Sequence, residues 1–363
     1  GLMVNQGSQS TLNMAKNRQH LAELISVGLG VGLLSVSALA VAFFGSSPEP
    51  GEQPIAELRP SPLTQNPIWK LETMQVAAEP SATVWSVATT SSPGLLTSAN
   101  SDQTVKVWNL KTGRLLRTLS GHQDTVWSVA VSPVAELVAS GSSDQTVKVW
   151  SLNSGELCYS FQHDAPVWAV AISPDGTVLA SGSGDQIQLW SLETGERLRA
   201  LVGHQDTVRA IAISSNGQTL VSGSSDHTVK VWDLRTGKLV RSLTGHRDRV
   251  LAVAISPDGQ TLVSGSVDQT LKVWDLGRGQ LRYSLPGHQD WVNAVAISPD
   301  GTTLASGIGK TVRLWDLETG QPLQTLTSNT GDITSLAFSK QDQMLISGSR
   351  ETAIKIWHQS QHL

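Results

Sequence analysis

Seven tryptophans recur at an almost constant interval, and that spacing limits what this chain can fold into more than any other feature of it. Trp108, Trp150, Trp190, Trp232, Trp274, Trp315 and Trp357 are separated by 42, 40, 42, 42, 41 and 42 residues. Each ends a short run of alternating character, such as Thr-Val-Lys-Val-Trp at 146–150 or Thr-Leu-Lys-Val-Trp at 270–274, which is the period of a strand with one buried face. Repetition of this kind means one supersecondary unit copied along the chain. Such a unit cannot bury its apolar face alone and must stack on its neighbours.

The order of elements is fullest in residues 245–276. Gly245-His246 opens the unit, an apolar run follows from Val250 to Ile255, and Ser-Pro-Asp-Gly at 256–259 supplies a turn. A second run, Thr261 to Ser266, leads through a tight turn at Asp268 to the Trp strand, and a glycine-containing turn precedes a fourth run, Gln280 to Leu285. Four strands per unit make one blade of a β-propeller, so the chain is expected to be all-β, with seven blades over residues 67–358 and a short tail at 359–363. Six residues follow Trp357, too few for a fourth strand of the last blade. Aligning Val84–Ala88 with Val250–Ala254 puts residues 71–77 at that missing position. A strand from the N-terminal side is therefore expected to close the ring and remove its open edge.

These units resemble the WD40 repeat family. Gly-His recurs at 121–122, 203–204, 245–246 and 287–288, and Trp-Asp at 232–233, 274–275 and 315–316. The resemblance implies a Trp, Ser, His and Asp network within a blade, which would satisfy the indole N–H of a buried tryptophan. Carried over, the networks are His122, Ser140, Asp144 and Trp150; His204, Ser222, Asp226 and Trp232; and His246, Ser264, Asp268 and Trp274. Other blades depart from the pattern and are expected to be weaker. The third keeps His163 and Asp185 with a turn one residue shorter, the sixth keeps His288 without the Asp, the seventh has Asn329 and Glu351, and the first has Pro80 in place of His.

The resemblance also implies a partner-binding face at the end of the ring where the innermost strands begin. There the sequence places Trp85, Trp127, Trp168, Arg209, Leu251, Asn293 and Thr334, joined by Arg249, Trp291 and Arg350. Tryptophan and arginine on one rim are the composition of an interaction hot spot, and the competing expectation is that these Trp side chains pack between blades. The implied function is a non-catalytic scaffold for protein partners or peptide loops. The alternative is a sensory or regulatory module that takes a small ligand or carbohydrate at the central channel.

Ahead of the repeats, residues 1–20 read as a polar tail, 21–44 as a transmembrane helix and 45–66 as a linker with Pro48, Pro50, Pro54, Pro60 and Pro62. Residues 24–44 contain no charged side chain, and 21 helical residues span a bilayer core. Lys16 and Arg18 lie before the segment, which predicts a cytoplasmic N-terminus and an extracytoplasmic ring, in a bacterial periplasm or thylakoid lumen. A cleaved signal peptide is the competing reading, with Ala38-Leu39-Ala40 as its cleavage site. Either way the ring is exported.

Chemistry is sparse. One thiol, Cys158, rules out an intramolecular disulfide and a cysteine metal site, and the nine histidines fall mostly at equivalent positions of different blades, so no metal, cofactor or catalytic site is expected. Twenty-six basic against 30 acidic residues give a net charge of -4, which argues against a nucleic-acid partner. Lys106, Lys148, Lys230, Lys272, Arg313 and Lys355 precede the Trp by two in six blades, and are expected to be solvated or paired strand side chains rather than a phosphate-binding ring.

Overall fold

The alternating runs form four-stranded antiparallel sheets joined in chain order. The computed structural model describes residues 68–77, 82–90, 94–134, 136–285, 289–327, 330–339, 343–350 and 353–360, all within the unit Thr64–Leu363. Blade 1 pairs Val84–Thr89, Leu95–Asn100, Thr104–Asn109 and Leu115–Ser120, from innermost to outermost, and five more blades repeat this order, the sixth ending with Pro322–Leu326. Innermost strands of consecutive blades pack side by side around the ring, the seventh against the first. The fold is an all-β seven-bladed propeller, with no helix among the described residues. No helix there is long and apolar enough to cross a membrane. The expected tail, membrane segment and linker at 1–66 lie outside the described residues, as do Pro80, His288, Asn329 and Glu351.

Blade 7 takes its fourth strand from the other end of the chain. Ile333–Phe338, Met344–Ser349 and Ala353–Ser360 are completed by Ile68–Ala77, which pairs antiparallel from Ile68↔Ser360 to Ala77↔Ala353. The closing strand begins three residues before the expected 71–77. The last strand likewise runs two residues beyond 358, into the expected tail, because Ile68 and Trp69 hydrogen-bond in register with Ser360 and Gln359. Trp69 supplies the reason: it is buried and stands edge-on to Phe338 at 5.7 Å.

The apolar cores lie between blades. Ala99, Val105, Val107 and Leu119 of blade 1 pack with Val126, Val129, Val138 and Trp150 of blade 2, and Trp69 joins Leu314 and Leu326 of blade 6 to Ile333, Leu345 and Trp357 of blade 7. Each third-strand Trp is thus buried against the preceding blade, the stacking that a repeat unit with two apolar faces requires. The Ser-Gly-Ser of the second strand serves the same seam. A Cβ on Gly223 would sit 2.7 Å from Cγ1 of Val250, the first residue of the next innermost strand, so only glycine admits that side chain.

A second seam runs along the outer rim, where equivalent residues of successive outermost strands reach to the next blade. Arg117 donates to the Asn153 carbonyl, Tyr159 to Glu193 O at 3.3 Å, Arg199 to Thr236 O, Arg241 to Gly277 O at 2.5 Å and Tyr283 to Leu317 O. At blade 6 the residue is Gln324, which accepts from Trp69 N and donates to Trp69 O, both at 2.9 Å. The closing strand is therefore held on two sides, by the last strand of blade 7 and by the side chain of blade 6.

Candidate functional site

In blades 2, 4 and 5 the four residues of each network form a continuous relay. Trp150 Nε1 donates to Ser140 Oγ at 3.1 Å, Ser140 Oγ lies 2.8 Å from His122 Nε2, and His122 Nδ1 lies 2.8 Å from Asp144 Oδ2. The corresponding distances are 2.9, 2.7 and 2.7 Å from Trp232 to Asp226, and 2.9, 2.7 and 2.8 Å from Trp274 to Asp268. One proton arrangement pairs every donor: indole N–H to Ser, Ser O–H to Nε2, and Nδ1–H to carboxylate. These are also the atoms of an acyl-transfer triad. Here the Ser side chains are fully buried and each Oγ already accepts an indole N–H, so a substrate carbonyl has no approach to it.

The electrostatics follow from burial opposed by hydrogen bonds. Burial raises the Asp226 carboxyl, but Thr228, the Gln205 N–H and His204 outweigh it and bring it down to about 2. Asp144 and Asp268 are held still further below the usual carboxylate range by the same competition, with His122 and His246 as the strongest opposing donors. Burial lowers the His204 imidazole in spite of Asp226, so the ring is neutral at pH 7 and the Nδ1–H bond is that of a neutral donor to a carboxylate.

Elsewhere the relay is rebuilt. In blade 3 Trp190 and His163 still meet Ser181, at 3.0 and 2.9 Å, but Nδ1 of His163 faces the Phe161 carbonyl at 3.2 Å. The shortened turn, with Gly184 at φ +55°, leaves Asp185 out of the network. In blade 1 the turn aspartate is paired by a lysine: Lys106 Nζ lies 2.8 Å from Asp102 Oδ2, and Asn100 Nδ2 reaches Ser98 Oγ at 3.3 Å beside the Trp108 indole. Trp315 and Trp357 donate to their serines, Ser306 at 2.9 Å and Ser347 at 3.2 Å. Lysines two before the Trp are paired. Lys148, Lys230 and Lys272 donate to Ser160, Ser242 and Ser284 at 3.0, 2.9 and 3.3 Å, and Lys106 and Lys230 are buried.

The mouth of the channel is shaped by seven β-bulges. Every innermost strand shifts register once, between its first and third residues: Val84/Ser86, Val126/Ser128, Val167/Ala169, Val208/Ala210, Val250/Ala252, Val292/Ala294 and Ile333/Ser335. The skipped residues are Trp85, Trp127, Trp168, Arg209, Leu251, Asn293 and Thr334. A bulge releases its extra residue from the ladder and re-aims its side chain, and all seven line a central cavity of about 250 Å³.

Trp85 and Trp127 are 4.5 Å apart and Trp127 and Trp168 4.6 Å, as ring centroids, so three adjacent blades present one aromatic arc. Guanidinium groups cap it, Arg209 at 4.3 Å over Trp168 and Arg350 at 5.7 Å over Trp85. Arg249 and Trp291 form a separate pair at 5.7 Å. The structure thus brings five of the seven rim tryptophans and arginines into one arc and the other two into a pair. All are half-buried except Arg350, which is exposed, and the arc is outside the apolar core clusters. Its fixing residues escaped sequence reasoning. Ser143 accepts from Trp127 Nε1 at 2.5 Å and Ser225 from Arg209 Nε at 2.9 Å. Below them Ser335, Ser86 and Ser128 accept the N–H of Val87, Val129 and Val170 in the next blade, at 3.0, 3.3 and 3.1 Å. Among the described residues no group of three or more His, Cys, Asp or Glu could hold a metal ion.

Residues 72–109, 113–151, 155–191 and 195–233 match the family model for the WD domain, G-beta repeat, and residues 227–363 match that for the first β-propeller of IFT122. No curated protein matches the chain. The match at 113–151 begins before the outermost strand of blade 1 and ends on the third strand of blade 2. Sequence repeat and blade are therefore offset by one strand, and that offset is why the last blade must borrow its fourth strand from the first repeat. WD40 propellers are generally protein-interaction scaffolds and typically non-catalytic, and this chain carries WD40 repeats in a seven-bladed β-propeller.

Proposed function

We propose that the chain is a membrane-tethered scaffold that docks a protein partner, or a loop of one, on the channel mouth. The observation that carries this reading is the asymmetry of the bulge positions. The fold needs a bulge in every blade, yet it accepts Leu251, Asn293 and Thr334 there as well as three adjacent tryptophans and an arginine, so the arc is not a requirement of the ring. Large rigid aromatic faces beside arginine are what a hot spot uses, and a closed ring loses little conformational freedom when a partner binds. Residues 24–44 supply the tether in this proposal, with the ring on the side away from Lys16 and Arg18. The test is affinity capture after cross-linking in native membranes. Trp127→Ala combined with Trp168→Ala abolishes capture and leaves the ring folded, because neither side chain belongs to an interblade core. Equal loss of folding and capture defeats the proposal.

The cavity itself favours one other reading, a small ligand or carbohydrate stacked on the arc. Calorimetry of the full chain against a glycan panel separates the two, since saturable binding there points to the small ligand.

A further inference from the structure

Of the residues that wall the central cavity, Arg209 alone is charged. Its orientation is fixed twice, by the Nε bond to Ser225 Oγ at 2.9 Å and by the face of Trp168 at 4.3 Å. Among the described residues, its terminal nitrogens donate to no acceptor and no carboxylate lies within ion-pair distance. Its neighbours differ: Arg249 has Asp248 at 3.7 Å and Arg350 has Asp332 at 3.8 Å. Burial, then the charge of Arg249, lowers the Arg209 guanidinium to about 10, against the opposing pull of Asp206. It remains a cation at neutral pH in a site that disfavours one.

A desolvated cation without a partner is costly, and the ring does not require one at this bulge. Arg209 lines a cavity whose other walls are all uncharged, made of tryptophan, aliphatic residues, serine, threonine and Asn293. We propose that the channel mouth receives one carboxylate, presented as a glutamate or aspartate side chain by the docking partner, and that Arg209 binds it through its terminal nitrogens. This rests on the docking reading above and names the chemistry of the partner.

The lining disfavours three other ligands. A quaternary ammonium group needs open aromatic faces and no competing cation, whereas guanidinium groups already cap the arc at both ends. A phosphate dianion calls for more than one cationic partner, and the wall holds one planar fork, which matches a carboxylate. A chain-terminal carboxylate brings its own N–H into the wall, while a side-chain carboxylate brings only acceptors. Two wall donors are already committed to backbone carbonyls, Asn293 Nδ2 to Ile333 O at 3.2 Å and Thr334 Oγ1 to Val84 O at 2.6 Å.

The experiment titrates the full chain with N-acetylglutamyl amide and follows the indole signals of Trp127 and Trp168 by nuclear magnetic resonance. Saturable shifts are expected, with N-acetylglutaminyl amide weaker by about tenfold or more and Arg209→Gln weakening the glutamyl probe by a similar factor. Leu251→Glu, which places an internal carboxylate in the neighbouring blade's wall position, is expected to suppress binding of the probe and keep the ring folded. Equal binding of the two amides, tighter binding of inorganic phosphate, or shifts indifferent to both variants would overturn the assignment, as would no shift at any attainable concentration. Partner capture separates this failure from that of the docking reading. Capture lost with the two tryptophans but retained in Arg209→Gln removes only the carboxylate site, whereas capture unaffected by either removes the docking surface.

Discussion

Asp226 and Asp185 occupy equivalent turn positions in blades 4 and 3, and removing each in turn gives very different costs. Asp226 accepts from His204 Nδ1 at 2.7 Å, from the N–H of Gln205 and of Thr228 at 2.9 Å each, and from Thr228 Oγ1 at 2.7 Å. In Asp226→Ala, the buried Nδ1–H of His204 loses its acceptor, a cost of about 1–3 kcal/mol. The two backbone donors are near the surface, where water replaces the carboxylate, so each adds only about 0.5 kcal/mol. The sum is about 3 kcal/mol, or a fall in Tm of about 6 °C for a unit of this size. Asp185 is outside its network, since His163 bonds the Phe161 carbonyl instead, and Asp185→Ala is expected to cost less than about 0.5 kcal/mol. Calorimetry gives the two Tm values, and hydrogen exchange locates the loss, which is expected at the indole strand of blade 4. Equal destabilisation by the two substitutions, or exchange that rises uniformly around the ring, would refute the reasoning.

Two further outcomes follow from the same geometry. Gln324→Ala removes both bonds to Trp69 and is expected to raise hydrogen exchange in residues 68–77 while blades 2 to 5 stay protected; unchanged exchange there would show that the rim latch does not hold the closing strand. Acidification is expected to weaken the fold in two steps. His204 and His163 are kept neutral by burial, with folded pKa values below the ordinary 6.5, so the unfolded chain binds their protons first and stability falls as pH drops below 6.5. Asp226, at about 2 against an ordinary 3.8, contributes stability that is complete above 3.8 and is lost between 3.8 and about 2. A melting temperature that rises on acidification through the first window would contradict the neutral assignment of these histidines.

Blade architecture was legible because every unit states the same solution in its strand period, turn and tryptophan, and the missing fourth strand followed from counting. What the sequence hides is geometry set by neighbours. Trp69 reads as one more tryptophan, but its burial and its exchange of bonds with Gln324 extend the closing strand to Ile68. His163 and Asp185 look like a retained pair, and a turn shortened by one residue separates them. Lys106 reads as a strand residue either solvated or paired, and the sequence does not reveal that its partner is the turn aspartate Asp102. The rim tryptophans and arginines were named from the resemblance alone. Their convergence depends on a bulge in each innermost strand, which leaves no mark in hydrophobic period, and on Ser143 and Ser225, which read as ordinary turn residues.

The claim that the mouth, rather than the outer wall, meets the partner is tested most directly by position-specific photo-cross-linking in native membranes. A benzophenone side chain is placed at Leu251 or Asn293, at the mouth, and at Leu198, which is exposed on an outermost strand. The account predicts one discrete adduct from the two mouth positions, lost when Trp127 and Trp168 are replaced by alanine, and none from Leu198. An adduct from Leu198 with none from the mouth would contradict it.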